Sequence, residues 1–162
     1  MKSKISLAFE KCKQEKRPAL ITYTVAGDNT KNNSLKILNT ISKHADILEL
    51  GFPHNTPIAD GGQIQESSHR ALKNGIKLKD VFKIVKKFKK FNPSKPLIMM
   101  GYFNLIYQSG ENNFLKNCKA SGVDGLIIVD LQPEEDSELF TKSRERDIDL
   151  IRLITPTTDQ KR

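Results

Sequence analysis

Glu49 is the residue whose setting most suits chemistry. It lies in Asp46-Ile47-Leu48-Glu49-Leu50, a short apolar run closed by Gly51 and Pro53. Such a run reads as a buried strand. Strand periodicity puts Ile47, Glu49 and Gly51 on one face and Leu48 and Leu50 on the other. A carboxylate among apolar side chains is costly when charged, so its pKa should rise. A raised carboxyl pKa suits an acid/base that shuttles protons near neutral pH. The competing reading is a Glu held by a buried cation. Arg152 is the only basic residue in the five apolar runs that could supply one.

Asp60 is the second carboxylate of interest. It precedes Gly61-Gly62 in a long polar connection from Pro53 to Gln63. An Asp before glycine is either an Asx-turn residue or a group presented to a ligand. The glycine pair permits loop movement or a close backbone approach. Asp130 ends another apolar run, Gly125 to Asp130, and faces inward if Ile128 does. It either orients the next loop or meets a substrate. His44, His54 and His69 have no metal-ligating partner at useful spacing, so no metal site is expected. Cys12 and Cys118 lie far apart and read as free thiols. Neither a serine nor a cysteine triad is supported.

The elements that must position these groups alternate. Apolar runs at 19–25, 46–50, 96–102, 125–130 and 149–154 read as strands. Helical periodicity marks 6–14, 34–44, 113–120, the stretch from the long loop through Phe91, and a start at Pro133. Strand–helix alternation with near-continuous apolar strands predicts an α/β fold with a parallel sheet. Ligand sites in such folds lie beyond the carboxyl ends of the strands. The polar residues there include Asp28, Glu49, Asp60, Tyr102 and Asp130.

Two architectures fit five parallel strands in 162 residues. A flavodoxin-like sheet is complete at about this length. A (β/α)8 TIM barrel needs at least about 200 residues. Only Thr155 to Arg162 follow the fifth run, too few for the helix that a doubly wound sheet requires. The expectation is a single domain, residues 1–162, forming a TIM barrel truncated after strand 5. No apolar run reaches the ~18 residues of a membrane span. The polar, Lys-rich start lacks a signal core. A cytoplasmic location is expected.

The net charge is +8, and all of it lies between Lys73 and Lys95, which hold nine lysines and one acid, Asp80. Val81, Phe82, Val85 and Phe88 recur at helical spacing there. The lysines read as a solvated helix face, and no nucleic-acid partner is expected.

The motifs together resemble a known family. Leu48-Glu49-Leu50-Gly51-Phe52-Pro53, continuing through Pro57-Ile58-Ala59-Asp60-Gly61-Gly62-Gln63-Ile64-Gln65, is similar to the active-site signature of the tryptophan synthase α subunit. Met100-Gly101-Tyr102-Phe103-Asn104 resembles that family's third strand end. Gly122 to Leu131 with Pro133-Glu134-Glu135, and Thr155-Pro156-Thr157-Thr158, resemble its fourth and fifth. The resemblance spans nearly the whole chain and the first five of the family's eight βα units.

It implies a (β/α)8 barrel that cleaves indole-3-glycerol phosphate to indole and glyceraldehyde 3-phosphate in tryptophan biosynthesis. Glu49 would be the catalytic acid/base, and Asp60 the catalytic carboxylate that hydrogen-bonds the indole N–H. Tyr23, Met100, Tyr102 and Ile127 would line the indole pocket, with Asp130 a further substrate-binding candidate. No cofactor is implied for this chain. PLP belongs to the β subunit, the partner expected in an α2β2 assembly. The alternative is a truncated, non-catalytic chain that binds the β subunit or needs a complementing fragment. Two departures stand out. Asn55-Thr56 replaces the family's Ser-Asp, whose Asp signals to the β subunit, and Gly62 replaces a usual proline. In the family, the backbone groups that hold the substrate phosphate follow strands 7 and 8, and a lid follows strand 6; these segments lie outside this sequence.

Overall fold

A computed structural model describes residues 2–159. Five strands form one parallel sheet: β1 (Ile21–Val25), β2 (Ile47–Gly51), β3 (Leu97–Gly101), β4 (Gly125–Ile128) and β5 (Asp149–Ile151). Their order in space is their order in sequence. A doubly wound sheet reverses direction once, at its switch point. This sheet never reverses, so its connections wind one way, as in a barrel wall.

Seven helices accompany the strands among the described residues: α1 (Lys4–Gln14), α2 (Lys31–Ile41), α3 (Gly62–Lys73), α4 (Leu78–Phe91), α5 (Phe103–Ser109), α6 (Glu111–Ser121) and α7 (Ser137–Arg144). They create two apolar cores. The larger holds Leu48, Leu50, Leu97, Met99 and Leu126 against Val81, Val85 and Phe88 of α4 and Phe114 and Leu115 of α6. The smaller holds Ile47, Ile98 and Ile127 against Ile5 of α1, with Met100 and Ile151 beside them. Alternate residues of one strand thus serve different cores, as the period of two requires. Leu48 and Leu50 face the helices, and Ile47 faces the interior that α1 closes from below.

Several boundaries differ from the sequence expectation. The helix expected to run through Phe91 is two helices. Gly75, at φ +72°, takes the left-handed turn that ends α3. A short helix, α5, occupies 103–109, where no helix is expected. It is under two turns long and lacks a side-chain cap, so it leaves little periodic signal. The helix α2 starts three residues early because Thr30 caps it through the Asn33 N–H, 3.1 Å away. The turn at Pro133 precedes α7 rather than opening it; Glu135 N–H donates to the Gln132 carbonyl at 3.0 Å. Pairing of β5 with β4 stops at Ile151, and Leu153 and Ile154 are exposed. The Lys-rich stretch builds α4 with its apolar side buried, but Lys89 is buried too.

Candidate active site

The site is assembled where β1, β2 and β3 end. Register places Glu49 between Tyr23 on β1 and Ile98 on β3. One step higher, Gly51 pairs with Met100, and Met100 pairs with Ile127. The row therefore carries one carboxyl, one phenol and apolar side chains. Gly51 is required here. A Cβ on it would stand 2.2 Å from the Tyr23 hydroxyl, so only glycine lets the phenol lie across β2.

Glu49 is half-buried, and its carboxyl makes no hydrogen bond or ion pair with the other described residues. Burial alone pushes its pKa above the ordinary glutamate value. Arg152, the one candidate cation, is occupied elsewhere. It pairs with Asp136, which is 2 % exposed, and its guanidinium lies 5.5 Å from the Phe140 ring centre. The reading of Glu49 as the lone partner of a buried cation does not hold. Tyr23 is raised as well, first by burial and then by the nearby carboxylates Asp60 and Glu49. It stays a neutral phenol.

Asp60 reaches the site by way of the loop 52–61. Turns stiffen that loop: Ile58 N–H donates to Thr56 O at 2.9 Å, and Asp60 N–H to Pro57 O at 3.1 Å. Tyr102, just after β3, latches it. Its hydroxyl accepts the Ala59 N–H at 3.0 Å and donates to Asp60 Oδ2 at 3.1 Å. The pKa of Tyr102 is raised, chiefly by burial. His54 stacks on the Tyr102 ring, with centres 5.0 Å apart and planes 23° apart. The Asp60 backbone carbonyl accepts from Gln65 Nε2 at 2.8 Å.

The structure therefore brings Tyr23, Glu49, Asp60, Met100, Tyr102 and Ile127 to one end of the sheet. Asp130 behaves differently. Ile128 packs among the helices, not in the interior, so the inward orientation conditional on it does not follow. Asp130 Oδ1 accepts the Phe103 N–H at 2.7 Å and orients the start of α5. It also lines a cleft of about 240 Å3 with Gln132, Ile151, Arg152 and Thr155, beyond the ends of β4 and β5. Neither Glu49 nor Asp60 lines that cleft.

Sequence reasoning missed two groups. Gln65 holds the Asp60 backbone, and His54 covers Tyr102. Neither has a spacing signal, because each partner comes from a different segment. No group of three or more His, Cys, Asp or Glu among the described residues could hold a metal ion. No helix among them is long and apolar enough to cross a membrane.

A site of this kind can move a proton to or from a carbon atom. It has one half-buried carboxyl whose pKa burial raises, a second carboxyl held by the Tyr102 hydroxyl, and apolar walls.

Comparison with known proteins gives the family of the chain. The family model described as "Tryptophan synthase alpha chain" matches residues 9–162. A tryptophan synthase alpha chain of Pelagibacter ubique (strain HTCC1062) is 65% identical over 156 residues, which are 96% of this chain and 59% of that protein. The crystal structure of the alpha chain from Legionella pneumophila subsp. pneumophila superimposes with a TM-score of 0.94 at 34% identity, covering 99% of this chain and 61% of that one. A chain of the tryptophan synthase α2β2 complex from Pyrococcus furiosus gives a TM-score of 0.85 at 45% identity, over 88% of this chain and 61% of its own. The chain thus spans about three fifths of the length of these relatives.

Proposed function

Because the chain belongs to the tryptophan synthase alpha chain family, we propose that the protein built on it is a lyase. It cleaves indole-3-glycerol phosphate to indole and glyceraldehyde 3-phosphate. The observation that carries this reading is Glu49, half-buried and unpaired at the strand ends, with its pKa raised by burial.

The chemistry is a retro-aldol step. Protonated Glu49 donates its proton to carbon 3 of the indole ring, giving a positively charged indolenine. The carboxylate so formed takes the proton of the glycerol hydroxyl next to carbon 3. The carbon–carbon bond then breaks. Its electron pair returns to the ring and restores indole, and the glycerol carbon becomes the aldehyde. Glu49 ends as it began. The Asp60 carboxylate accepts a hydrogen bond from the ring N–H and stabilises the cation while it exists. Tyr23, Met100, Tyr102 and Ile127 form the apolar wall that keeps water from the ring. Asp130 serves the site through the loop it orients.

In this reading the chain needs no cofactor of its own. The partner is a β subunit, which carries PLP and receives the indole. The solved α2β2 relative supports that assembly. Asn55-Thr56 alters the segment that faces the partner in the family.

Replacing Glu49 by Gln tests the proposal. Indole release from indole-3-glycerol phosphate should fall by about 10³-fold, the range of a lost general acid/base. The wild-type rate should decline as pH rises through the elevated Glu49 pKa, because the donor form is lost. Turnover by Glu49→Gln within a factor of a few of wild type would remove Glu49 from the mechanism. A wild-type protein that binds the β subunit but releases no indole would support the non-catalytic alternative.

A further inference from the structure

Helix α3 follows Asp60 directly, across Gly61 and Gly62. A Cβ at either glycine would meet no heavy atom within 4 Å, so packing does not hold this junction. The helix itself is thinly anchored: only Ser68 and Ala71 are buried along it. Its polar contacts are dense by comparison. Arg70 Nε donates to Asp28 Oδ1 at 2.8 Å, and Nη2 donates to Oδ2 at 2.9 Å. Ser67 Oγ donates to the same Oδ2 at 2.6 Å. One turn on, Asn74 Nδ2 donates to the Asn29 carbonyl at 2.7 Å. Asp28 and Asn29 lie just after β1, so these bonds tie α3 to the sheet.

The other end of α3 grips the candidate catalytic loop. Gln65 Nε2 reaches the Asp60 carbonyl at 2.8 Å and the Pro57 carbonyl at 3.5 Å. A continuous path therefore runs from β1 through Asp28, Ser67 and Arg70, along one turn of helix, to Gln65 and the Asp60 backbone. Tyr102 holds the Asp60 carboxylate from β3 by a separate route. Two strands thus fix two parts of one residue.

We propose that Asp28, Ser67 and Arg70 form a positioning clamp that sets where Asp60 stands, acting through helix α3 and Gln65. The inference rests on the lyase reading for its functional consequence, but not for its structural one. The clamp is a bidentate guanidinium–carboxylate pair, which fixes angle as well as distance. Lysine can keep the charge of Arg70 but not the fork. Glu66, the other carboxylate near Arg70, is 3.8 Å away and on the same helix, so it cannot replace the tie to β1.

Two measurements test this. The first is amide hydrogen exchange, with the Ala59 N–H reporting whether the loop is docked on Tyr102. Arg70→Met should speed Ala59 exchange by about tenfold. Leu48 and Leu50 in β2 should exchange as before, and Arg70→Lys should fall between. Unchanged Ala59 exchange, or equal acceleration at Leu48, overturns the clamp. The second is a double-mutant cycle on indole release, in the protein as its source makes it. Arg70→Met should lower kcat/KM by about tenfold alone but by less than about twofold in an Asp60→Asn background. Additive losses overturn the clamp. If the wild-type protein releases no indole from indole-3-glycerol phosphate, the lyase reading fails, and the exchange result still decides the clamp.

Discussion

The two ends of this sheet are held together in different ways. At the amino ends of the strands the chain is cross-braced by charge. Lys89, 8 % exposed, pairs with Asp124 and also donates to the Lys95 carbonyl at 2.6 Å. Asp124 accepts the Leu97 N–H at 2.9 Å and stands 3.3 Å from Lys4. Arg17 forks onto Asp46 at 2.7 and 2.8 Å, and Asp46 also accepts the Leu20 N–H at 2.8 Å. At the carboxyl ends the Asp28–Arg70 and Asp136–Arg152 pairs flank the site, but within it Glu49 has no partner and Asp60 is held by single hydrogen bonds. The lower end spends its polar groups on one another. The upper end leaves a carboxyl unpaired, which is what a reaction needs and what stability does not. This division matches the barrel rule that the amino face carries stability and the carboxyl face carries function.

The sharpest way to break the comparison is to remove Asp124. Asp124→Ala leaves the Lys89 ammonium buried without its counter-ion, and breaking such a pair costs about 3–5 kcal/mol. Burial already holds the Lys89 pKa below the usual lysine range. With the folded pKa below the unfolded one, the folded state binds fewer protons, so the stability of the variant should rise with pH. The loss should therefore shrink as pH rises toward the ordinary lysine pKa of about 10.4, because the amine sheds its proton. Urea unfolding over that rise in pH measures it. Indole release per folded molecule should stay near wild type. A stability loss under about 1 kcal/mol, or a selective loss of turnover, would mean that the amino end is not the stabilising one.

The upper end was far more legible in the sequence than the lower. Ile47-Leu48-Glu49-Leu50 shows its inside and outside by alternation alone, and the structure divides it the same way. The Glu49 environment followed from that division. The lower network could not be read, because Lys89 and Asp124 are 35 residues apart and Lys4 and Pro93 are 89 apart. Lys89 also sits in a run of lysines that otherwise reads as solvent-facing. The Tyr102–Asp60 bond was hidden for the same reason, spanning 42 positions. Pattern reports which face a residue takes. It does not report which distant residue meets it there.

Tyr102→Phe probes the upper end with a smaller lesion. The ring stays and His54 keeps its stacking surface. The Ala59 N–H loses its acceptor and Asp60 loses its donor. Stability should fall by about 1–2 kcal/mol, the net worth of two such hydrogen bonds. Turnover should suffer more in proportion, by about tenfold in kcat/KM, because Asp60 is no longer aimed. The two readouts run opposite to those of Asp124→Ala. If Tyr102→Phe unfolds the chain and spares activity, the ends do not differ in the way described.

The gentlest test repairs the upper end instead of damaging it. Gly62 opens α3, a position whose amide has no helical acceptor. Proline is favoured there because its ring presets the helical φ. Gly61 before it is extended, with φ −70° and ψ 162°, the conformation that a residue before proline prefers. Gly62→Pro should therefore fit without strain and remove freedom mainly from the unfolded chain. The expected gain is about 0.4–1 kcal/mol. It should appear as a higher urea midpoint at unchanged slope. Arg70→Met should then cost the Asp60 loop less in the Gly62→Pro background, because the junction no longer depends on the clamp alone. A destabilised Gly62→Pro would show that this junction uses a conformation outside the proline range. The upper end would then be looser than its hydrogen bonds suggest, and the contrast between the two ends larger.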